Sequence, residues 1–164
     1  MAQKLDIVSS TKDQKTGVEN TESIAIGLRD VLADTYRLMF KTHAYHWNVE
    51  GPMFFALHNL TEGQYEDLFA ASDVIAERIR AIGHLAPYSL SEVIENSVIE
   101  DGNDKIAALK MAKDLAEDHQ RVAHRLHALT KLADDNNDIV TADLATQRST
   151  FHEKAAWMLR AIAA

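Results

Sequence analysis

Cysteine is missing altogether from this 164-residue chain, proline occurs only twice and glycine six times. Without thiols there is no disulfide framework, thiolate zinc site, iron–sulfur cluster or cysteine nucleophile. Any metal must be held by imidazole and carboxylate, donors that suit iron, zinc or manganese and not cuprous copper. So few helix breakers fit long uninterrupted helices better than a β-sandwich. No run approaches the roughly 18 apolar residues of a membrane span, and the polar N-terminus lacks the apolar stretch of a signal peptide. A cytoplasmic protein with no membrane partner is therefore expected. There is no G-x-S-x-G and no Gly-rich phosphate loop, which leaves nucleophilic catalysis without support. Positive charge is also short: 17 Lys and Arg face 25 Asp and Glu, a net charge of −8. That balance argues against broad attraction to nucleic acid or anionic lipid.

With 46% hydrophobic and 26% charged residues, the chain has the makings of one domain with a real core. Met1 to Asn20 reads as a polar tail, and residues 21–164 as the domain. Ile24, Leu28, Val31, Leu32, Tyr36, Leu38 and Met39 recur at helical steps, predicting a first helix over Glu22 to Asn48, with Asn20 or Thr21 as its N-cap. Asn48 to Pro52 breaks it, and a second helix is expected from about Pro52 to Gly83. Its apolar positions cover more than one stripe, as in a helix that packs on its own bundle and on a partner chain. Ser89 and Glu92 have capping-box spacing before a short helix near Ser91 to Ser97. A third long helix is expected from Asp104 to about Leu132 and a fourth from Thr141 to Ala163. The fold class is all-α: a four-helix bundle with a short helix in the connection between helices two and three.

The useful polar groups fall in two segments: His43, His46 and Trp47 at the end of the first helix, and His58, Glu62, Asp73 and Glu77 on the second. His58 and Glu62 are four apart and share a face, as do Asp73 and Glu77. His58 and Asp73 also point in similar directions, yet lie roughly 22 Å apart along the axis. One ion cannot touch both pairs, since its bonds are only about 2 Å long. Either the pairs serve separate purposes, or a second copy of the helix lies antiparallel across a two-fold axis, bringing the His58 end of one chain to the Asp73 end of the other. Bland readings stand beside these. Glu77 next to Arg78 and Arg80 reads as surface ion pairing, and Trp47 as filling for a core or interface. His43, His119 beside Asp118, His124 and His127 read as supporting or surface histidines. No Glu has a His three residues on, so the Glu-x-x-His pattern of a di-iron site inside one bundle is absent.

The order His46–Trp47–Asn48–Val49, Gly51, Phe54, Leu57–His58 and then Asp73–Val74–Ile75–Ala76–Glu77–Arg78 resembles the signature of the Dps family of ferritin-like mini-cages. The short middle helix and His152–Glu153–Lys154–Ala155–Ala156–Trp157–Met158–Leu159–Arg160 are similar to it as well. The resemblance implies a shell of twelve subunits that takes in Fe(II), oxidises it, preferably with hydrogen peroxide and otherwise with dioxygen, and stores ferric mineral inside. It also implies that His46, His58 and Glu62 of one chain, with Asp73 and Glu77 of another, hold the iron. Trp47 would sit beside the site and take up a stray oxidising equivalent. The family commonly has Asp where this chain has Glu62, one methylene longer. Asp134, Asp135, Asp138 and Asp143 fall where such shells build a three-fold iron-entry pore.

Dps-like proteins that condense DNA do so largely with basic tails. Here Lys4, Lys12 and Lys15 are offset by Asp6, Asp13 and Glu19, so DNA binding is expected to be weak or absent. A DNA-condensing shell with incidental iron binding is the alternative reading, and a metal-free helical interaction module is a third.

Overall fold

Ile24, Leu28, Val31, Leu32 and Leu38 are all buried along α1 (Thr21–Asn48), the face that their three- and four-residue spacing demands. The same logic builds α2 (Phe54–Ala81) around Leu57, Leu68, Ile75 and Ile79. It builds α4 (Ala108–Asp134) around Leu115, Val122, Leu126 and Leu129, and α5 (Ile139–Ala163) around Ala145, Ala155 and Leu159. The short α3 (Leu90–Asn96) buries none of its own residues and lies on α1. This computed structural model describes residues 16–164, which hold these five helices and no strand. The expected tail lies mostly outside the described residues. Its last part is attached: Val18 packs on the core, and the Glu19 amide donates to the Asn136 carbonyl at 2.9 Å.

α1 pairs with α2 and α4 with α5, each across a short turn. The long connection from α2 to α4 carries α3. Polar bonds set the register of α1 against α4. Lys41 Nζ reaches Asp118 Oδ2 at 2.7 Å and Asp114 Oδ2 at 2.8 Å, while Arg125 reaches Asp34 at 3.0 Å. Asp34 also accepts from Ser97 Oγ and the Val98 amide, which ties the end of α3 to the bundle. Burial pushes the Asp34 and Asp118 carboxyls above their usual range, against the pull of these partners.

Several expected boundaries shift for local reasons. Asn20 sits at the N-cap position in left-handed geometry and makes no capping bond; its Oδ1 accepts from Ser23 Oγ instead. α2 starts two residues beyond Pro52, because Gly51 turns at φ 87° and its carbonyl accepts from the Phe54 amide. α4 starts at Ala108 and not Asp104. Asn103 Oδ1 takes the Lys105 amide and the Asn103 amide donates to Tyr45 Oη, holding that stretch in a turn. After α4, Asn137 at φ 59° and the Asp138 amide bonding back to Ala133 close the helix in the manner of a Schellman end. Ser89 Oγ accepts from the Glu92 amide at 3.2 Å, as its spacing predicts.

Candidate metal centre

His46 on α1 and His58 on α2 face each other where the two helices meet their connecting turn. Their rings stack with centroids 3.7 Å apart at 20°. Each Nδ1 donates to the other residue's backbone carbonyl, at 2.9 Å from His46 to His58 O and 3.0 Å from His58 to His46 O. A carbonyl can only accept, so both rings carry hydrogen on Nδ1, which in a neutral imidazole leaves the lone pair on Nε2. That is the tautomer a metal needs, locked by backbone and not by chance packing. Thr61 steadies the turn below: its hydroxyl donates to Leu57 O at 2.7 Å and lies 3.5 Å from His46 Nδ1. Glu62, one turn beyond His58, is exposed.

Asp73 and Glu77 lie towards the other end of α2, both exposed, and neither has a hydrogen-bond or ion-pair partner among the described residues. The ion pairing read for Glu77 is absent there: Arg78 goes to Asp138 at 2.6 Å and Arg80 donates to His84 O. Among the described residues no three His, Asp or Glu side chains of a single chain gather closely enough to hold an ion. The axial spacing along α2 keeps Asp73 and Glu77 away from His58, and Glu62 does not close on His46 and His58 to make a third donor either. One chain thus has its imidazole pair at one end of α2 and two exposed carboxylates without a described partner towards the other.

Aromatic rings surround the imidazole end. Tyr65 stacks on His43 at 4.0 Å and meets His46 edge-on at 5.2 Å. Trp47 lies against His43 at 4.0 Å and is 58% exposed. Tyr65 escaped the sequence reading, although it continues the His58, Glu62 stripe by one more turn. Burial first, then the Glu62 and Glu66 charges, push its phenol upward. Phe40, 60% exposed, meets Trp47 edge-on at 6.5 Å, and Phe69, 64% exposed, lines a groove with Tyr36, Val74 and Asp73. This apolar surface next to unpaired carboxylates is what the wide apolar coverage of the second helix foreshadowed.

The acidic turn divides. Asp138 is fully buried; it caps α5 through the Thr141 amide at 2.9 Å and pairs with Arg78. Burial disfavours its charge, but Arg78 and Thr141 more than offset this and hold the carboxyl below its usual value. With both oxygens bonded and the side chain buried, it does not present a carboxylate to solvent. Asp134, Asp135 and Asp143 are exposed, with Asp135 on Lys131 and Asp143 on Gln147 Nε2. His119 is a correction of another kind. It is no surface or supporting group but a fully buried one, bonded to His152.

The sequence matches the ferritin-like domain family over residues 27–164. It is 36% identical over 155 residues to an uncharacterized low temperature-induced protein of Nostoc, covering 93% of this chain and 83% of that one. It is 33% identical to a DNA protection during starvation protein of Helicobacter pylori, covering 82% and 94%. Among solved structures, antigen TpF1 from Treponema pallidum superposes with a TM-score of 0.86 at 29% identity, over 92% and 99% of the two chains. A Dps protein from Vibrio cholerae, described as one of the ferritin-like diiron-carboxylate proteins, gives 0.82 at 26%, over 91% and 98%. No described helix is long and apolar enough to cross a membrane.

Proposed function

The chain belongs to the ferritin-like Dps family, and from that premise we propose that it is a ferroxidase and iron-storage subunit whose oxidation site is shared by two chains. His46, His58 and Glu62 of one subunit and Asp73 and Glu77 of its mate bind Fe(II) as substrate. The observation that carries this reading is the reciprocal lock of His46 and His58, which engages each Nδ1 and leaves each Nε2 as the nitrogen open to a metal. The unpaired carboxylates at the far end of α2 supply the complementary half in an antiparallel two-fold pair. The exposed Phe40, Phe69 and Val74 provide the apolar area such a contact needs.

The donor types suit the reaction. Neutral imidazole and carboxylate bind Fe(II), and the anionic oxygens favour the ferric product. Two Fe(II) lose one electron each to one hydrogen peroxide, whose O–O bond breaks. With two waters the products are two FeO(OH) and four protons. Taking both electrons together avoids release of hydroxyl radical, which gives the protein a protective role. Trp47, close to His46 and open to solvent, takes up an odd oxidising equivalent. Glu62, one methylene longer than the usual aspartate, keeps a carboxylate at that position. Twelve copies form the storage shell, and exposed Asp134, Asp135 and Asp143 attract Fe(II) to its pores.

Relatives are called DNA protection proteins, which keeps a DNA-condensing shell as the second reading. The −8 charge of each chain opposes it. Sizing the native particle by light scattering and then following absorbance during addition of Fe(II) and peroxide tests the first reading. A shell of about twelve chains with rapid ferric absorbance supports it, and a monomer inert towards Fe(II) overturns it. Tight plasmid retention in a low-salt gel shift would favour the second reading.

A further inference from the structure

Four long helices each place an unpartnered polar group at one level of the core. His119 on α4 and His152 on α5 are fully buried, with Nδ1 atoms 2.9 Å apart. Both Nε2 atoms lack a partner, as do Gln64 Nε2 and Oε1 on α2, Ser149 Oγ and Arg148 Nε on α5, and Thr42 Oγ1 on α1. Contacts of their neighbours show that these groups share a layer. Thr42 adjoins His43, which stacks on Tyr65, the residue after Gln64. It also adjoins Lys41, whose partner Asp118 precedes His119. Ser149 adjoins Arg148, which bonds Asp67, one turn from Gln64.

The wiring of the histidine pair says what kind of ligand fits. One ring must donate through Nδ1–H and the other accept, so one Nε2 carries hydrogen and the other a bare lone pair. Burial, and the Arg148 charge on both, keep the two rings neutral. The orphan donors are therefore that Nε2–H, the Gln64 amide hydrogens and Arg148 Nε–H. The orphan acceptors are the other Nε2 and Gln64 Oε1, while the Ser149 and Thr42 hydroxyls serve either way. A cation would use the acceptors only, would face Arg148 and would find no free carboxylate. An anion would use the donors only. Water uses both.

We propose that this layer is an internal hydration site, in which about two or three ordered waters, at roughly three hydrogen bonds each, bridge α1, α2, α4 and α5. The waters complete a polar crosslink through the middle of the bundle and fix the rotation of α2 through Gln64. Because the site lies inside one subunit, it stands whether or not the chain oxidises iron.

A crystal structure of the assembled wild-type protein, with anomalous data at the iron and zinc edges, tests this. The expected result is solvent density within hydrogen-bonding distance of Gln64, both Nε2 atoms and Ser149, with no anomalous signal. In Ser149→Val, with the backbone unchanged, at least one of those solvent peaks disappears. A dry layer in which Gln64 bonds directly to His119, His152 or Ser149 overturns the proposal. So does an anomalous peak between the imidazoles, or an unchanged set of peaks in the Ser149 variant.

Discussion

Lowering the pH from neutrality to about 5 sets the unfolded chain against the folded one at His119. Burial, then the Arg148 charge, bring this imidazole from its ordinary 6.5 down to about 3. The unfolded chain binds a proton at His119 below pH 6.5, while the folded chain refuses it until about pH 3. Stability therefore falls as pH drops through that window, by about 1.4 kcal/mol per pH unit for one such group. Between pH 6.5 and 5 this amounts to about 2 kcal/mol, or about 4–8 °C in Tm for a domain of this size. His152 is shifted in the same direction and adds to the loss. Replacing both (His119→Leu with His152→Leu) removes the titrating groups and their mutual hydrogen bond together. This is far less costly than orphaning one of them. Thermal melts followed by circular dichroism, at one chain concentration, should show the double variant losing at least about 4 °C less than wild type over this range. Equal losses in the two proteins would refute the claim that buried neutral histidines govern acid sensitivity.

Other outcomes follow from single contacts. Asp138→Ala removes the α5 cap and the Arg78 partner, so unfolding free energy should drop by about 3 kcal/mol in urea titrations. Lys41→Met leaves Asp114 and Asp118 facing each other without their shared cation, and should cost about 3–5 kcal/mol by the same measurement. Phe69→Glu puts charge into the exposed apolar face of α2 and should shift the native particle to smaller species in light scattering, with helix content retained by circular dichroism. Trp47→Phe should leave the rate of Fe(II) oxidation within about twofold, since Trp47 is not a ligand, a change below 0.5 kcal/mol in barrier. Spin trapping should then detect more hydroxyl radical than in wild type.

Where the information is local, the chain is easy to read. Ile24, Leu28 and Val31 declare α1, and Ser89 with Glu92 declares the start of α3, because periodicity and capping act within a few residues. The start of α4 is not local. Asn103 is held by Tyr45 from α1, a contact between residues far apart in sequence. Asp138 looks like one acid among several, yet burial against Arg78 sets it apart from Asp134 and Asp135. The imidazole half of the site could be suspected from His46 and His58, but their mutual lock depends on backbone carbonyls that no residue pattern reveals. The His119–His152 layer is hidden for the same reason. Four helices must assemble before its orphaned groups meet.

Two variants, each disabled in a different half of the site, give the sharpest check on sharing between chains. His58→Ala and Asp73→Ala are each expected to oxidise Fe(II) slowly. When the two are unfolded together and reassembled, half the pairs are mixed, and each mixed pair holds one site with both halves intact, so about a quarter of wild-type activity should return. If the mixture stays as slow as the separate variants while forming particles of normal size, the two halves do not meet across chains and the proposed centre is wrong.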